Sequence, residues 1–224
     1  MYYDFDWKEA AFSSRSLPVV TGVLYLLMVF ILPRFVPAGG YKLDRILVVH
    51  NLLLSAMSLV LCVGCAWEMF RRAQSENTEW MFCENPETPA QGPLYFWSYA
   101  FYVMVWNWLE YRMNLQHIGL LWNTFVHVVM YAYYGLKVLK IPTPWKNWVT
   151  RLQILQFLTS VAFGVGAMKH MWEAPFGNKC AGQTTMWVNL AFNITLLWQF
   201  VGVLFSPVRS AGLKQSPADS PKKD

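Results

Sequence analysis

A helix needs about 20 apolar residues to cross the hydrocarbon core of a bilayer, and this chain offers six runs near that length. They are Leu17–Phe35, Ile46–Trp67, Leu94–Leu109, His117–Leu139, Trp148–Met168 and Thr184–Phe205. Their interiors carry almost no Asp, Glu, Lys or Arg. Charged residues make up 14% of the 224, where a soluble domain has about a quarter. A soluble helical core has no use for so many long apolar runs, so the pattern predicts an all-α, polytopic transmembrane helical bundle of about six spans. Residues 1–16 then form an N-terminal tail, 17–206 the membrane domain and 207–224 a polar tail.

The start, MYYDFDWKEAAFSSRS, lacks the basic stretch, short apolar core and small-residue site of a cleavable signal peptide. The first span is left as its own insertion signal. The formal charge of +5 comes from Lys and Arg beside the span ends, the distribution that sets orientation in a lipid bilayer. It gives no reason to expect nucleic acid as a partner. The end, KQSPADSPKKD, has the composition of a disordered segment. Its closing lysines resemble a di-lysine endoplasmic-reticulum retrieval signal set one place too near the end. Asn193-Ile194-Thr195 is a glycosylation sequon placed inside the last run, out of reach of the modification.

The loop charges conflict with six crossings. Multi-pass proteins gather Lys and Arg on the cytosolic side. Lys42 and Arg45 follow the first run, Lys137, Lys140, Lys146 and Arg151 bracket the loop after the fourth, and the tail is basic. Three expected crossings separate the first two of these basic segments, which puts them on opposite faces. The same count separates Cys83 from Cys180, two loop cysteines that can pair only if both loops face one oxidising compartment. The conflict centres on Leu94–Leu109, which is short and rich in Tyr and Trp. Either this run lies in the interface without crossing, or a helix is missing from the chain at that point. Parity alone does not choose.

The stretch NTFVHVVMYAYYGLK places His127 within the fourth run, with Asn123 and Tyr131 one turn to either side on the same helical face. A single histidine at membrane depth can be a structural residue bonded to a neighbouring helix, but ionisable groups there mark functional sites by default. Gln153 and Gln156, three apart, read as cavity lining or as glue between helices. Tyr133 and Tyr134 can serve as an interfacial belt. His50, His117 and His170 lie near span ends and read as interfacial, and Glu110 as a solvated carboxylate paired with Arg112. Cys62 and Cys65 form C-x-x-C inside the second run and read as small buried apolar residues.

Three blocks carry a resemblance. NTFVHVVMYAYY resembles the N-[ST]-x-x-H-x-x-M-Y-x-Y-Y block of the ELO family, the fatty-acid elongases. Thr150, Gln153, Gln156 and Phe157 resemble that family's T-x-x-Q-x-x-Q-F. HNLLLSAMS resembles its Y-N-x-x-x-x-x-x-S, with His50 in place of the tyrosine. The blocks occur in the family's order over Leu47–Phe157, and the polyunsaturated-type elongases of algae and other protists are the most similar. The chain also departs from the family. It has neither S-K-x-x-E-x-x-D-T nor the histidine box H-x-x-H-H, and no two of its four histidines are closer than ten residues. Those blocks belong near Tyr102–Val103, where the sequence reads as if two half-helices had been fused after a deletion. A seven-span relative has two crossings where this chain shows one. That restores the parity, with the basic loops cytosolic and the N-terminal tail, Cys83 and Cys180 luminal.

The resemblance implies a decarboxylating condensation in the endoplasmic-reticulum membrane: acyl-CoA and malonyl-CoA give 3-oxoacyl-CoA, CO2 and CoA, with no cofactor. His127 becomes a catalytic histidine that works with the absent box, since a neutral imidazole can act as nucleophile or base. Asn123, Tyr131, Tyr134, Gln153 and Gln156 become substrate-binding side chains. No metal site is expected, because the chain has no H-x-x-H-H and no E-x-x-H pair. Implied partners are acyl-CoA, malonyl-CoA, lipid, and oligomers with elongases or the other enzymes of the elongation cycle. Without its histidine box the chain is expected to be catalytically silent. A non-catalytic relative that partners intact elongases is one rival reading. An unrelated six-span transporter is another, though the sequence shows neither internal repeats nor intramembrane charges in its support.

Overall fold

A computed structural model describes residues 3–37, 39–100, 106, 108–173 and 180–205. Its main elements are α1 (Ser16–Ile31), α2 (Asp44–Ser75), α3 (Pro93–Ala100), α4 (Gln116–Val138), α5 (Lys146–Glu173) and α6 (Gln183–Phe205). Among the described residues extended pairing is limited to one bridge, Asp6 to Gln91. The segments Ser16–Phe35, Asp44–Ser75, Lys146–Trp172 and Gln183–Leu204 are long and apolar enough to cross a membrane. Helix α4, with 23 residues, has the length to cross, about 34 Å, but trades apolar surface for Asn123, Thr124, His127 and its tyrosines.

The helices pack as an antiparallel row. Ser55 Oγ of α2 donates to the Val128 carbonyl of α4 at 2.9 Å, and Cys65 Sγ to the His117 carbonyl at 3.6 Å. Gln153 Nε2 of α5 reaches Met130 Sδ of α4 at 3.5 Å. The Phe157 and Phe200 rings of α5 and α6 lie 5.5 Å apart. Helix α1 has no buried residue. Helix α2 has 32 residues, about 48 Å against a core of about 30 Å, so its last turns, bearing Glu68, Arg71 and Arg72, stand clear of the hydrocarbon.

The run Leu94–Leu109 does not cross, which corrects the expected count of six spans. Helix α3 has 8 residues, about 12 Å. Its Leu94 packs with Cys65 of α2 and Leu120 of α4. On the far side of residues 101–105, Trp106 Nε1 donates to the Ser13 carbonyl at 3.3 Å, and Leu109 joins Phe5, Trp7 and Tyr95 in one buried cluster. Both ends of the run therefore sit where α2 finishes and α4 begins. Its aromatic residues read as membrane-spanning but seal the N-terminal segment onto the bundle end. The junction at Tyr102–Val103, and the fusion of half-helices read there, lies outside the described residues, as does the tail 206–224.

Five crossings remain, and the charges fall into place. The loop holding Lys42 and the loop from Lys137 to Arg151 share one side, towards which α6 also runs. The opposite side carries the N-terminal segment and a disulfide between Cys83 and Cys180, whose Cα atoms are 5.1 Å apart. Beside it Ala181 N donates to the Glu84 carbonyl at 2.9 Å. Gly182 has φ +60° and lies so close to the Tyr111 and Met113 backbone that a Cβ would collide with it, so both its conformation and its contacts require glycine. Arg72 forks onto Glu84 at 2.8 and 2.9 Å, reaches Glu76 at 2.9 Å, and lies 4.2 Å above the Trp80 ring. Glu110 does not pair with Arg112. It takes Arg15 at 2.7 Å and Trp7 Nε1 at 3.1 Å, while Arg112 donates to the Thr88 carbonyl.

Candidate functional site

Helices α4, α5 and α6 enclose a cavity of about 500 Å³. Helical spacing builds its polar wall, because residues three or four apart share a face. Helix α4 contributes Asn123 and His127, α5 contributes Gln153, Gln156 and Ser160, and α6 contributes Thr185, Asn189 and Asn193. Rings of Trp122, Phe157, Phe163 and Phe200 form much of the remainder. No Lys, Arg, Asp or Glu lines it.

Four of the sequence-derived candidates, Asn123, His127, Gln153 and Gln156, thus meet in one cavity. Tyr131 does not line it but sets its ring edge-on to His127 at 5.2 Å between centroids. Tyr134 lies two turns beyond His127, past Met130 where the α4 wall of the cavity ends, and is 46% exposed. Sequence reasoning missed Ser160, Thr185, Asn189 and Asn193. The signal was present, since Thr185, Asn189 and Asn193 recur every fourth residue in an otherwise apolar run. Asn193 is buried as expected, but as a cavity residue.

Few of these amides satisfy one another. Gln153 Nε2 finds only a thioether sulfur, and Asn193 Nδ2 bonds back to the Asn189 carbonyl at 2.7 Å. Asn123 Oδ1 is buried without a protein partner. At membrane depth an unmet amide is costly, so such a wall suits a ligand or water that supplies the missing bonds. The chemistry on offer is an apolar slot with neutral donors and acceptors and one imidazole. Histidines at i, i+3 and i+4 would converge on one substrate atom, and this cavity has His127 alone.

The other histidines lie elsewhere. His50 is exposed, and His170 stacks on Phe82 at 4.9 Å. His117, expected at the interface, is instead buried between Trp80 and Tyr95. Among the described residues no three His, Cys, Asp or Glu side chains converge as metal ligands would.

The family model described as "ELO: GNS1/SUR4 family" matches residues 10–104 and 102–207. The chain is 26% identical to fatty acid elongase sre1 of Dictyostelium discoideum, over 71% of this chain and 73% of that protein. It is 24% identical to fatty acid elongase A of the same organism, over 95% and 89% of the two chains. That alignment runs over 250 positions, more than the chain's own 224 residues. Very long chain fatty acid elongase 5 of Bos taurus is 25% identical over 64% of this chain and 60% of that protein. Against several relatives the chain spans about two thirds of their length. No solved structure matches.

Proposed function

The chain belongs to the ELO family of fatty acid elongation, and on that premise we propose that it descends from a 3-oxoacyl-CoA synthase of the endoplasmic reticulum and binds acyl-CoA without condensing it. The observation that carries the reading is the cavity itself, which unites Asn123, His127, Gln153 and Gln156 but holds a single histidine. The ancestral reaction joins the acyl carbonyl carbon to the malonyl α-carbon as CO2 leaves, and expels CoA from the acyl thioester. Activating that thioester calls for a nucleophile or base held against a second group that orients it. His127 has Tyr131 beside it, but no histidine of an H-x-x-H-H box. The two family matches meet at residues 102–104, the point where that box belongs, which supports a loss at this position.

Binding draws on what remains. The apolar slot takes the acyl chain, the amides take its polar groups, and Lys137, Lys140, Lys146 and Arg151 on the neighbouring side offer cations for the phosphates of CoA. The test is to express the chain in membranes freed of other elongases, with labelled malonyl-CoA and acyl-CoA of several lengths. The expected result is saturable acyl-CoA binding with no lengthened product. A second version, with a segment of about 30 residues carrying H-x-x-H-H inserted between Tyr102 and Val103, should yield product. Labelled product from the unaltered chain would overturn the proposal.

A further inference from the structure

Four buried polar atoms without protein partners surround one small hole on the disulfide side. The hole measures about 10 Å³, and its walls include Trp80, Asn114, Gln116 and His117. The atoms are Trp80 Nε1, Asn114 Nδ2, Gln116 Oε1 and His117 Nε2. All four residues are at most 7% exposed.

The hydrogen-bond pattern fixes what each atom offers. Trp80 Nε1 can only donate. Asn114 Oδ1 accepts from Glu84 N at 3.1 Å, so the amide cannot be turned round and its Nδ2 points elsewhere as a donor. Ser98 Oγ spends its proton on the Leu94 carbonyl at 3.4 Å. It therefore accepts from His117 Nδ1–H at 3.3 Å, which leaves His117 Nε2 with a bare lone pair. Gln116 Oε1 is an acceptor. The hole is thus ringed by two donors and two acceptors.

We infer that this hole is a binding site for one ordered water molecule, which bridges Trp80 and Asn114 to Gln116 and His117. Water supplies two donors and two acceptors, the complement of the ring. A cation would face two N–H groups, and an anion would face two lone pairs. The volume matches the room one water needs. Asn114 also lines the large cavity, so the water closes that cavity's floor and ties the 3-10 turn Glu79–Met81 to the start of α4. It also helps to hold Leu115, a non-glycine residue in left-handed conformation at φ 65°, between two of its partners.

The full chain, labelled with ¹⁵N in Trp and His and placed in lipid nanodiscs, allows a direct test by solid-state NMR. The expected result is a His117 ring protonated at Nδ1 only, with magnetisation passing from water to Trp80 Nε1–H. Trp198, 82% exposed within a membrane span, should receive none. In Asn114→Leu the transfer to Trp80 should fall several-fold. His117 protonated at Nε2, or no transfer to Trp80 in the parent protein, would overturn the inference. If Asn114→Leu fails to fold, the parent spectrum alone decides.

Discussion

Removing one charge of the Arg72–Glu84 pair should be among the most damaging single substitutions available on the disulfide side. The Arg72 side chain is 20% exposed and that of Glu84 8%, and both Glu84 oxygens are occupied by the guanidinium. Glu84→Gln leaves Arg72 largely buried with its main counter-charge gone. Breaking a buried pair in this way costs about 3–5 kcal/mol, or roughly two to four orders of magnitude in the folding equilibrium. Glu76 offers an internal control. It binds the same Arg72 at 2.9 Å but is 53% exposed, and exposed pairs are worth about 0.2–1 kcal/mol. Arg72→Met with Glu84→Gln removes both charges and should recover most of the loss. Unfolding in mixed micelles of rising SDS content, followed by tryptophan fluorescence, measures all four proteins. If Glu84→Gln proves as mild as Glu76→Gln, or the double variant is as unstable as the sum of the singles, the buried-pair argument is wrong.

Reduction of Cys83–Cys180 opens a loop of 97 residues, for which chain entropy gives about 4–5 kcal/mol. A thermal scan with and without reductant should show a large drop in the parent and none in Cys83→Ser/Cys180→Ser. Five crossings place Lys42→Cys and Lys140→Cys on one face and Glu87→Cys on the other, readable with a membrane-impermeant maleimide on sealed vesicles. Labelling of Lys42→Cys and Lys140→Cys from opposite faces would contradict the fold described. In the cavity, Asn193→Leu and Asn189→Leu should each weaken acyl-CoA binding about fivefold, the worth of a hydrogen bond near 1 kcal/mol, while lipid-facing Trp198→Leu leaves it unchanged. Equal effects at all three positions would mean that the α6 stripe does not touch the ligand.

The apolar runs gave away α1, α2, α5 and α6 because lipid imposes a length and a composition on anything that crosses it. The face shared by Asn123 and His127 was equally legible, since helical periodicity fixes it without tertiary knowledge. Leu94–Leu109 was misread for a physical reason. An aromatic segment that covers other aromatic residues has the same composition as one that faces lipid, and only the contacts of Leu109 with Phe5 and Trp7 distinguish them. The C-terminal reach of α2 was hidden because Glu68, Arg71 and Arg72 look like a loop until their partners are known. Tyr134 shares the helical phase of His127 but not its depth, and a sequence pattern reports phase alone.

Because residues 93–100 and 108–110 both belong to the disulfide side, everything after them threads the membrane as it would with a complete hairpin between them. A chain can lose the far part of such a hairpin and still present the same charged loops to the insertion machinery, in the same order and direction. Loss of a single spanning helix would instead turn α4, α5 and α6 upside down, separate the two cysteines and drive the Lys137–Arg151 loop across the bilayer. Trimming in pairs is therefore a mild injury to biogenesis even where it is fatal to catalysis. It leaves a protein that inserts, oxidises and folds around an acyl-sized slot.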